Sequence, residues 1–254
     1  MTEAEFIAAP ALPVRHGFFT RRGGVSQGPY ASLNCALAGQ DARAAVLENR
    51  ARAARVLGAD PASLVGLTQV HGIEVARVEA PWLPGQGLRA DAAVTDRPGI
   101  AIGIVTADCA PVLFADAEAG VVGGAHAGWR GAVAGVLEAT LVAMESLGAR
   151  RERIAAAVGP CIAQASYEVA ADLRDAVLAN HPGDAHFFAE GQRPARWQFD
   201  LAGYCAQRLR AAGTGTVVTL GLDTLAEEER FFSHRRRTLA GGGAIGHQMS
   251  VVTL

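Results

Sequence analysis

Long apolar runs separated by short, glycine-marked polar interruptions dominate the middle of this chain, and they predict its strands. Residues 92–95, 100–105, 111–115 and 121–125 are apolar with almost no polar alternation. That is the pattern of strands buried on both faces. Residues 64–70 and 73–78 read as a further strand pair around His71-Gly72, and 154–158, 215–220 and 249–253 as later strands. Residues 15–34 read as a strand that gives way to a loop rich in turn formers, Arg21-Arg22-Gly23-Gly24 and Ser26-Gln27-Gly28-Pro29.

Helical spacing occurs in four places. Residues 129–147 carry Val133, Val136, Leu137, Leu141 and Met144 at three- and four-residue steps, which predicts one long helix. Residues 42–57 predict a helix closed by Gly58, 168–179 another, and 201–212 a helix capped by Asp200. Strands come in runs instead of alternating strictly with helices, so the pattern predicts an α+β fold with mixed sheets and not a doubly wound nucleotide fold. No repeat or linker divides the chain, which predicts a single domain over residues 1–254.

Composition removes several classes of function. Half of the residues are apolar and the net charge is −2, so the chain has a real core and lacks the basic footprint of a nucleic-acid binder. All 23 basic residues are arginines, which rules out Schiff-base chemistry and lysine-dependent phosphate loops. The longest basic cluster, Arg235-Arg236-Arg237, reads either as a solvated turn or as an anion site. Cys35, Cys109, Cys161 and Cys205 are scattered without a C-x-x-C pair, as in a reducing compartment. With no basic n-region and no long apolar span, the expectation is a soluble cytoplasmic protein without a membrane segment.

The candidate chemistry sits in the polar interruptions. Gln69-Val70-His71-Gly72, Thr106-Ala107-Asp108-Cys109 and Ala125-His126-Ala127-Gly128 each end or begin an apolar run. Together they supply two imidazoles and one thiol, a ligand set for a zinc ion with its fourth position open. Spacing alone leaves two readings in place, because a lone cysteine after a buried strand also reads as core and a histidine before a helix also reads as a cap. Asp108 beside Cys109 and Gln69 beside His71 weigh toward a site, since polar groups in apolar surroundings need partners.

These segments belong to a longer ordered set that runs through nearly the whole chain. It comprises His16-Gly17-Phe18-Phe19-Thr20-Arg21, Gly23-Gly24-Val25-Ser26, Ser32-Leu33-Asn34, Asn49-Arg50, Gln69-Val70-His71-Gly72, Ala90-Asp91, Thr106-Ala107-Asp108-Cys109, His126-Ala127-Gly128-Trp129-Arg130-Gly131, Gly159-Pro160-Cys161-Ile162 and Phe232-Ser233-His234-Arg235-Arg236. The set resembles the laccase-domain, polyphenol-oxidase-like purine nucleoside phosphorylase family, also called peptidoglycan editing factors. The resemblance implies an αββα layered sandwich and zinc held by His71, Cys109 and His126. It further implies phosphorolysis of purine nucleosides (adenosine, inosine, guanosine, methylthioadenosine), with adenosine deamination as a second activity. The chain departs from the family at Ala240-Gly241-Gly242, where Thr-Gly-Arg is usual, and at Gln40, where an acidic residue is usual.

The catalytic set expected on this basis is His71, Cys109 and His126, with Asp108, or a carboxylate such as Asp91, shuttling protons. Arg21 and Arg235 are the foremost candidates for a phosphate cradle, followed by Arg130 and Arg236, and Asp91 is expected among the substrate-binding residues. The expected partners are a purine nucleoside and phosphate, with neither nucleic acid nor membrane, in a monomer or small homo-oligomer. A multicopper oxidase needs a type-1 site and a three-copper cluster, hence roughly ten histidines, usually in His-x-His pairs. This chain has seven histidines and no such pair. Weak Cu2+ binding to the Cys/His set would still give some oxidase activity in vitro. A cysteine hydrolase acting on cell-wall precursors, with Cys109 as nucleophile and His71 or His126 as base, uses the same residues.

Overall fold

The computed structural model describes residues 3–254. The strands are β1 (Phe6–Ile7), β2 (Arg15–Phe19), β3 (Leu64–Gly66), β4 (Val75–Arg77), β5 (Ala92–Thr95), β6 (Ala101–Thr106), β7 (Ala110–Asp116), β8 (Val121–Ala127), β9 (Ala155–Val158), β10 (Glu168–Val169), β11 (Phe188–Glu190), β12 (Trp197–Phe199), β13 (Thr216–Thr219) and β14 (Gln248–Thr253). The helices are α1 (Arg43–Val56), α2 (Trp129–Ala134), α3 (Val136–Glu145), α4 (Ala171–Asn180), α5 (Leu201–Ala211) and α6 (His234–Leu239). A five-stranded sheet has the order β1-β2-β14-β6-β3, a six-stranded sheet the order β13-β9-β7-β8-β5-β4, and β10-β12-β11 form a small third sheet. Both large sheets are mixed: β3 runs parallel to β6, β4 to β5 and β13 to β9, and the remaining pairs are antiparallel. The fold is α+β, as expected.

Strand parity explains the layering. Along β7, Ala110, Val112 and Phe114 join one core with helices α3 and α5, whereas Leu113 and Ala115 join a second core. That second core is shared with Phe18, Ile102, Ile104 and Val252 of the other sheet. Successive side chains of a strand point to opposite faces, so β7 must be apolar throughout to be buried on both. Met249 and Val251 face a third core against Ala53, Ala54 and Leu57 at the end of α1. The order of layers is therefore α1, five-stranded sheet, six-stranded sheet, helices α2 to α5. At Gly124 a Cβ would lie 2.9 Å from Ile104 Cγ1, so the two sheets approach closely there.

Four expectations are corrected. The helix expected over 129–147 is broken at Gly135, whose φ of 103° ends α2 and starts α3. The apolar stripe continues across the break, so periodicity carries no trace of it. Residues 168–169 pair as β10 against β12, and the helix starts only at Ala171. The strand expected over 64–70 stops at Gly66, because residues 70–72 turn their backbone N–H groups onto the Asp91 carboxylate. Arg235-Arg236-Arg237 form neither a turn nor an exposed run. They lie in α6, whose N-cap Ser233 accepts from Arg236 N. Among the described residues no helix is long and apolar enough to cross a membrane.

Candidate metal centre

His126 lies near the end of β8 with the parity of Val122, so its ring points toward the space between the sheets, where the layers open. Cys109 occupies the turn immediately before β7, which pairs with β8 in the register Pro111 to His126. His71 comes from the loop between β3 and β4, at φ 61°, a conformation that an L-residue adopts only when its surroundings impose it. Asp91 imposes it. Its fully buried carboxylate accepts hydrogen bonds from Val70, His71 and Gly72 N–H groups at 2.7–3.2 Å. The same carboxylate accepts from His126 Nδ1 at 2.8 Å, which leaves Nε2 as the free ligand atom. The loop is clamped from its other side by Gln69, which donates to Val105 O and accepts from Val105 N. This partnership accounts for a polar residue in that position.

The three side chains converge. Cys109 Sγ lies 3.9 Å from His71 Nε2, the two imidazole centroids are 4.7 Å apart, and one ligand atom from each residue lies within 4.8 Å of the others. A tetrahedral ion held at about 2.0–2.3 Å by nitrogen and sulfur separates its ligand atoms by roughly 3.3–3.6 Å. An inward adjustment of about an ångström or less closes the group on one ion. Gly128 makes the convergence possible: a Cβ there would stand 2.9 Å from His71 Cδ2 and 3.0 Å from Cys109 Sγ.

The electrostatics match this donor set. Burial raises the Cys109 thiol, but His126 and His71 outweigh it and bring the group down from 9.0 to about 6. Burial likewise disfavours a charged His126, yet Asp91 and Cys109 lift it from 6.5 to about 9. Among the described residues, these three form the single cluster suited to a metal ion. Cys35, Cys161 and Cys205 are buried thiols pushed upward by desolvation, inert by comparison.

The centre opens into a cavity of about 730 Å3, within the usual range for small-molecule sites. Trp129, Tyr167, Leu201 and Ile162 line it beside His71, Cys109 and His126, together with Arg43, Arg50, Arg130 and Arg235. Arg130 stacks on Trp129 at 4.4 Å, while Arg235 lies 5.2 Å over Tyr167 and donates to Glu168 O.

Other expected residues have different surroundings. Arg21 lies outside the cavity wall: its guanidinium donates to Ala31 O and Glu228 O and stacks on Phe232. Arg236 donates to Phe231, Thr224 and Leu225 carbonyls and fastens α6 to the preceding loop. Asp91 does not reach the cavity and acts as the hub beneath it. Asp108, at φ 87°, borders the cavity but commits both carboxylate oxygens, accepting from Thr224 Oγ1, Ser233 Oγ and Arg235 N. Its geometry is that of an anchor for α6, not of a free proton carrier.

The family model described as multi-copper polyphenol oxidoreductase laccase matches residues 15–254. A purine nucleoside phosphorylase of Deinococcus radiodurans is 43 % identical over 250 residues, which cover 98 % of this chain and 92 % of the relative. One from Streptomyces griseus is 44 % identical, covering 91 % of this chain and 93 % of the relative. Among solved structures, YlmD from Geobacillus stearothermophilus aligns over 100 % of this chain and 97 % of its own, with a TM-score of 0.89 and 30 % identity.

Proposed function

The chain belongs to the multi-copper polyphenol oxidoreductase laccase family, and from that premise we propose that it is a zinc-dependent purine nucleoside phosphorylase. It would convert adenosine, inosine, guanosine or methylthioadenosine and phosphate to the free base and ribose 1-phosphate, with adenosine deamination as a side activity. The observation that carries this reading is the convergence of His71, Cys109 and His126 on one wall of an aromatic- and arginine-lined cavity. Its similarity to relatives named purine nucleoside phosphorylases supports the choice of substrate.

When bound to these three ligands, zinc supplies a positive charge and an open coordination position. The chain's own groups do the rest. Asp91 fixes the tautomer of His126 and holds the His71 loop against it. Trp129 and Tyr167, each with an arginine over one face, line the cavity and would supply apolar surface to a purine. With no lysine in the chain, the cavity's arginines provide the planar donor forks for an oxyanion. Asp108 sets the position of Arg235 through its backbone N–H.

The test combines metal analysis of the purified protein with release of adenine from adenosine at increasing phosphate. Purine release must rise with phosphate, and ribose 1-phosphate must accumulate. Release that ignores phosphate would remove the proposal. The low-lying Cys109 thiol, 3.9 Å from an imidazole, supports a second reading as a cysteine-type hydrolase. A covalent adduct on Cys109 with a peptide-like substrate would establish that reading instead.

A further inference from the structure

Release of a purine from a nucleoside calls for a proton. When the C1′–N9 bond breaks, its electron pair goes to the base, and a proton delivered to N7 keeps the departing base neutral. The carboxylates first expected to carry that proton are engaged elsewhere. Asp91 lies beneath the cavity, and Asp108 accepts from Thr224 Oγ1, Ser233 Oγ and Arg235 N with its two oxygens. The arginines of the cavity wall stay charged and offer hydrogen bonds, but no proton to give up. His234 accepts from Arg237 Nη2 at 2.6 Å through Nε2, and burial and Arg237 together hold it neutral. Burial brings His247 down to about 4, so it is neutral as well. The Cys35 thiol is pushed up to about 12 and donates to Leu33 O.

Tyr167 is different. It lines the cavity with the metal-ligating side chains, and its hydroxyl makes no hydrogen bond with any described residue. Nothing in the placement of the ring depends on that hydroxyl. Tyr167 N donates to Gln164 O at 3.1 Å, and Tyr167 O accepts from Phe199 N at 3.0 Å. The Phe199 ring centroid is 6.1 Å away, and the Arg235 guanidinium lies 5.2 Å over the ring. Arg235 is fixed in turn by Glu168 O and by Asp108, the residue before Cys109. The phenol therefore stands beside the Cys109 wall of the cavity. Burial holds it above its ordinary 10.0, and a thiolate at Cys109 acts in the same direction, so it keeps its proton until a base takes it.

We propose that Tyr167 is the catalytic acid of purine release, its phenolic O–H giving a proton to N7 of the departing base. The assignment rests on the phosphorylase reading for the co-substrate. In that reaction a phosphate oxygen bonds to C1′, the C1′–N9 bond breaks with its electron pair left on the base, and the Tyr167 proton passes to N7. The proton that hydrogen phosphate sheds on becoming an ester restores the phenol. Nucleoside and hydrogen phosphate thus yield ribose 1-phosphate and neutral base, with nothing else consumed.

The experiment compares guanosine with 7-methylguanosine, whose methylated base already carries the positive charge that protonation would supply. Base release at saturating phosphate is measured for wild type, Tyr167→Phe and Tyr204→Phe. Tyr204 is the control, because its hydroxyl also lacks a partner but is buried in the core away from the cavity. Tyr167→Phe keeps the ring and its packing, so the thermal midpoint should move by no more than a few degrees. It should lower kcat on guanosine about a hundredfold or more, the usual share of a general acid, and leave kcat on 7-methylguanosine within about threefold. The KM for phosphate should stay within about twofold, since no phosphate contact is removed. Tyr204→Phe should change none of these. An equal loss on both nucleosides would mean that the hydroxyl only shapes the cavity, and an undiminished rate on guanosine that it gives no proton; either result overturns the assignment. Base release by wild type that ignores phosphate removes the phosphorylase reading. The substrate-selective loss in Tyr167→Phe would still establish the acid in that case, because water as nucleophile makes the same demand on the leaving base. A wild-type protein that cleaves neither nucleoside removes both.

Discussion

Replacing Gly128 by alanine tests the centre without touching any ligand. The added Cβ would lie 2.9 Å from His71 Cδ2 and 3.0 Å from Cys109 Sγ. Ordinary contacts between such atoms are about 3.5–4.0 Å, so one or both ligands must retreat by roughly 0.5–1 Å. Neither can do so freely, because His71 sits in a loop fastened by three N–H groups to Asp91 and Cys109 is flanked by β7. Metal–ligand distances tolerate only about 0.2 Å, so metal affinity should fall by at least ten- to a hundredfold. The fold should survive. Gly128 has φ −67° and ψ 160°, which alanine accepts. The stiffer unfolded chain adds about 0.4–1 kcal/mol of stability, and the poorer N-cap removes a similar amount. The expected result is a thermal midpoint within about 4 °C of wild type, together with loss of bound metal and of purine release. Gly183→Ala, where nothing lies within 4 Å of the new Cβ, is the control and should change neither. Full metal content in Gly128→Ala would refute the convergence of the three ligands on one ion.

Cys109→Ala and His126→Ala should each abolish nucleoside cleavage in activity assays. In thermal melts Cys109→Ala should move the midpoint by only a few degrees and His126→Ala, which removes a buried ring and one donor to Asp91, by more; unfolding of Cys109→Ala would point to a structural metal instead. Asp91→Asn should be worse for the fold, because one amide oxygen replaces two carboxylate oxygens that serve four donors. Leaving one or two of those donors unpaired costs about 2–5 kcal/mol, visible as a midpoint lower by roughly 5–15 °C. In metal-free protein, the ultraviolet absorbance of the Cys109 thiolate should titrate near about 6 and move upward in His126→Gln. Because this pKa is depressed in the fold, its stabilisation is present above 9.0 and is lost as pH falls through about 6. That of His126 is raised, so its part is present below 6.5 and is lost as pH rises through about 9. Titration of the thiol at an ordinary value of about 8.5 would sink the coupling of the two groups.

The parts of this fold that were legible in the sequence are those whose burial leaves a simple trace. Strands β5 to β8 are apolar on both faces and stand out as runs, and Asp200 caps α5 by accepting from Gly203 N, as its position suggests. Helix α6 leaves no such trace. It is short and basic, without an apolar stripe, and is held by Asp108, Ser233 and the Arg236 carbonyl contacts. Gly135 sits inside an unbroken apolar periodicity, so only its φ reveals the break. At the site, His71, Cys109 and His126 could be named from their motifs, but the role of Asp91 could not, because it depends on a loop folding back over a strand end.

The metal and hydrolase readings share Cys109, and the surroundings of the thiol weigh between them. Cys109, His126 and Asp91 alone resemble a nucleophile, its base and the group that orients the base. Such a triad has work for one imidazole. Here a second, His71, is brought to 3.9 Å from the sulfur. Its backbone is held in the left-handed region, and the missing side chain of Gly128 leaves the space in which the imidazole and the sulfur meet. A strained conformation costs about 1–3 kcal/mol, and it persists only where the surroundings over-determine it. In a cysteine hydrolase, that second imidazole would only crowd the sulfur and hinder the approach of a carbonyl. In a metal centre it is the third ligand, and Asp91 orients both histidines from beneath, one through its ring and the other through its backbone. The strain at His71 therefore has a function under the metal reading and none under the other.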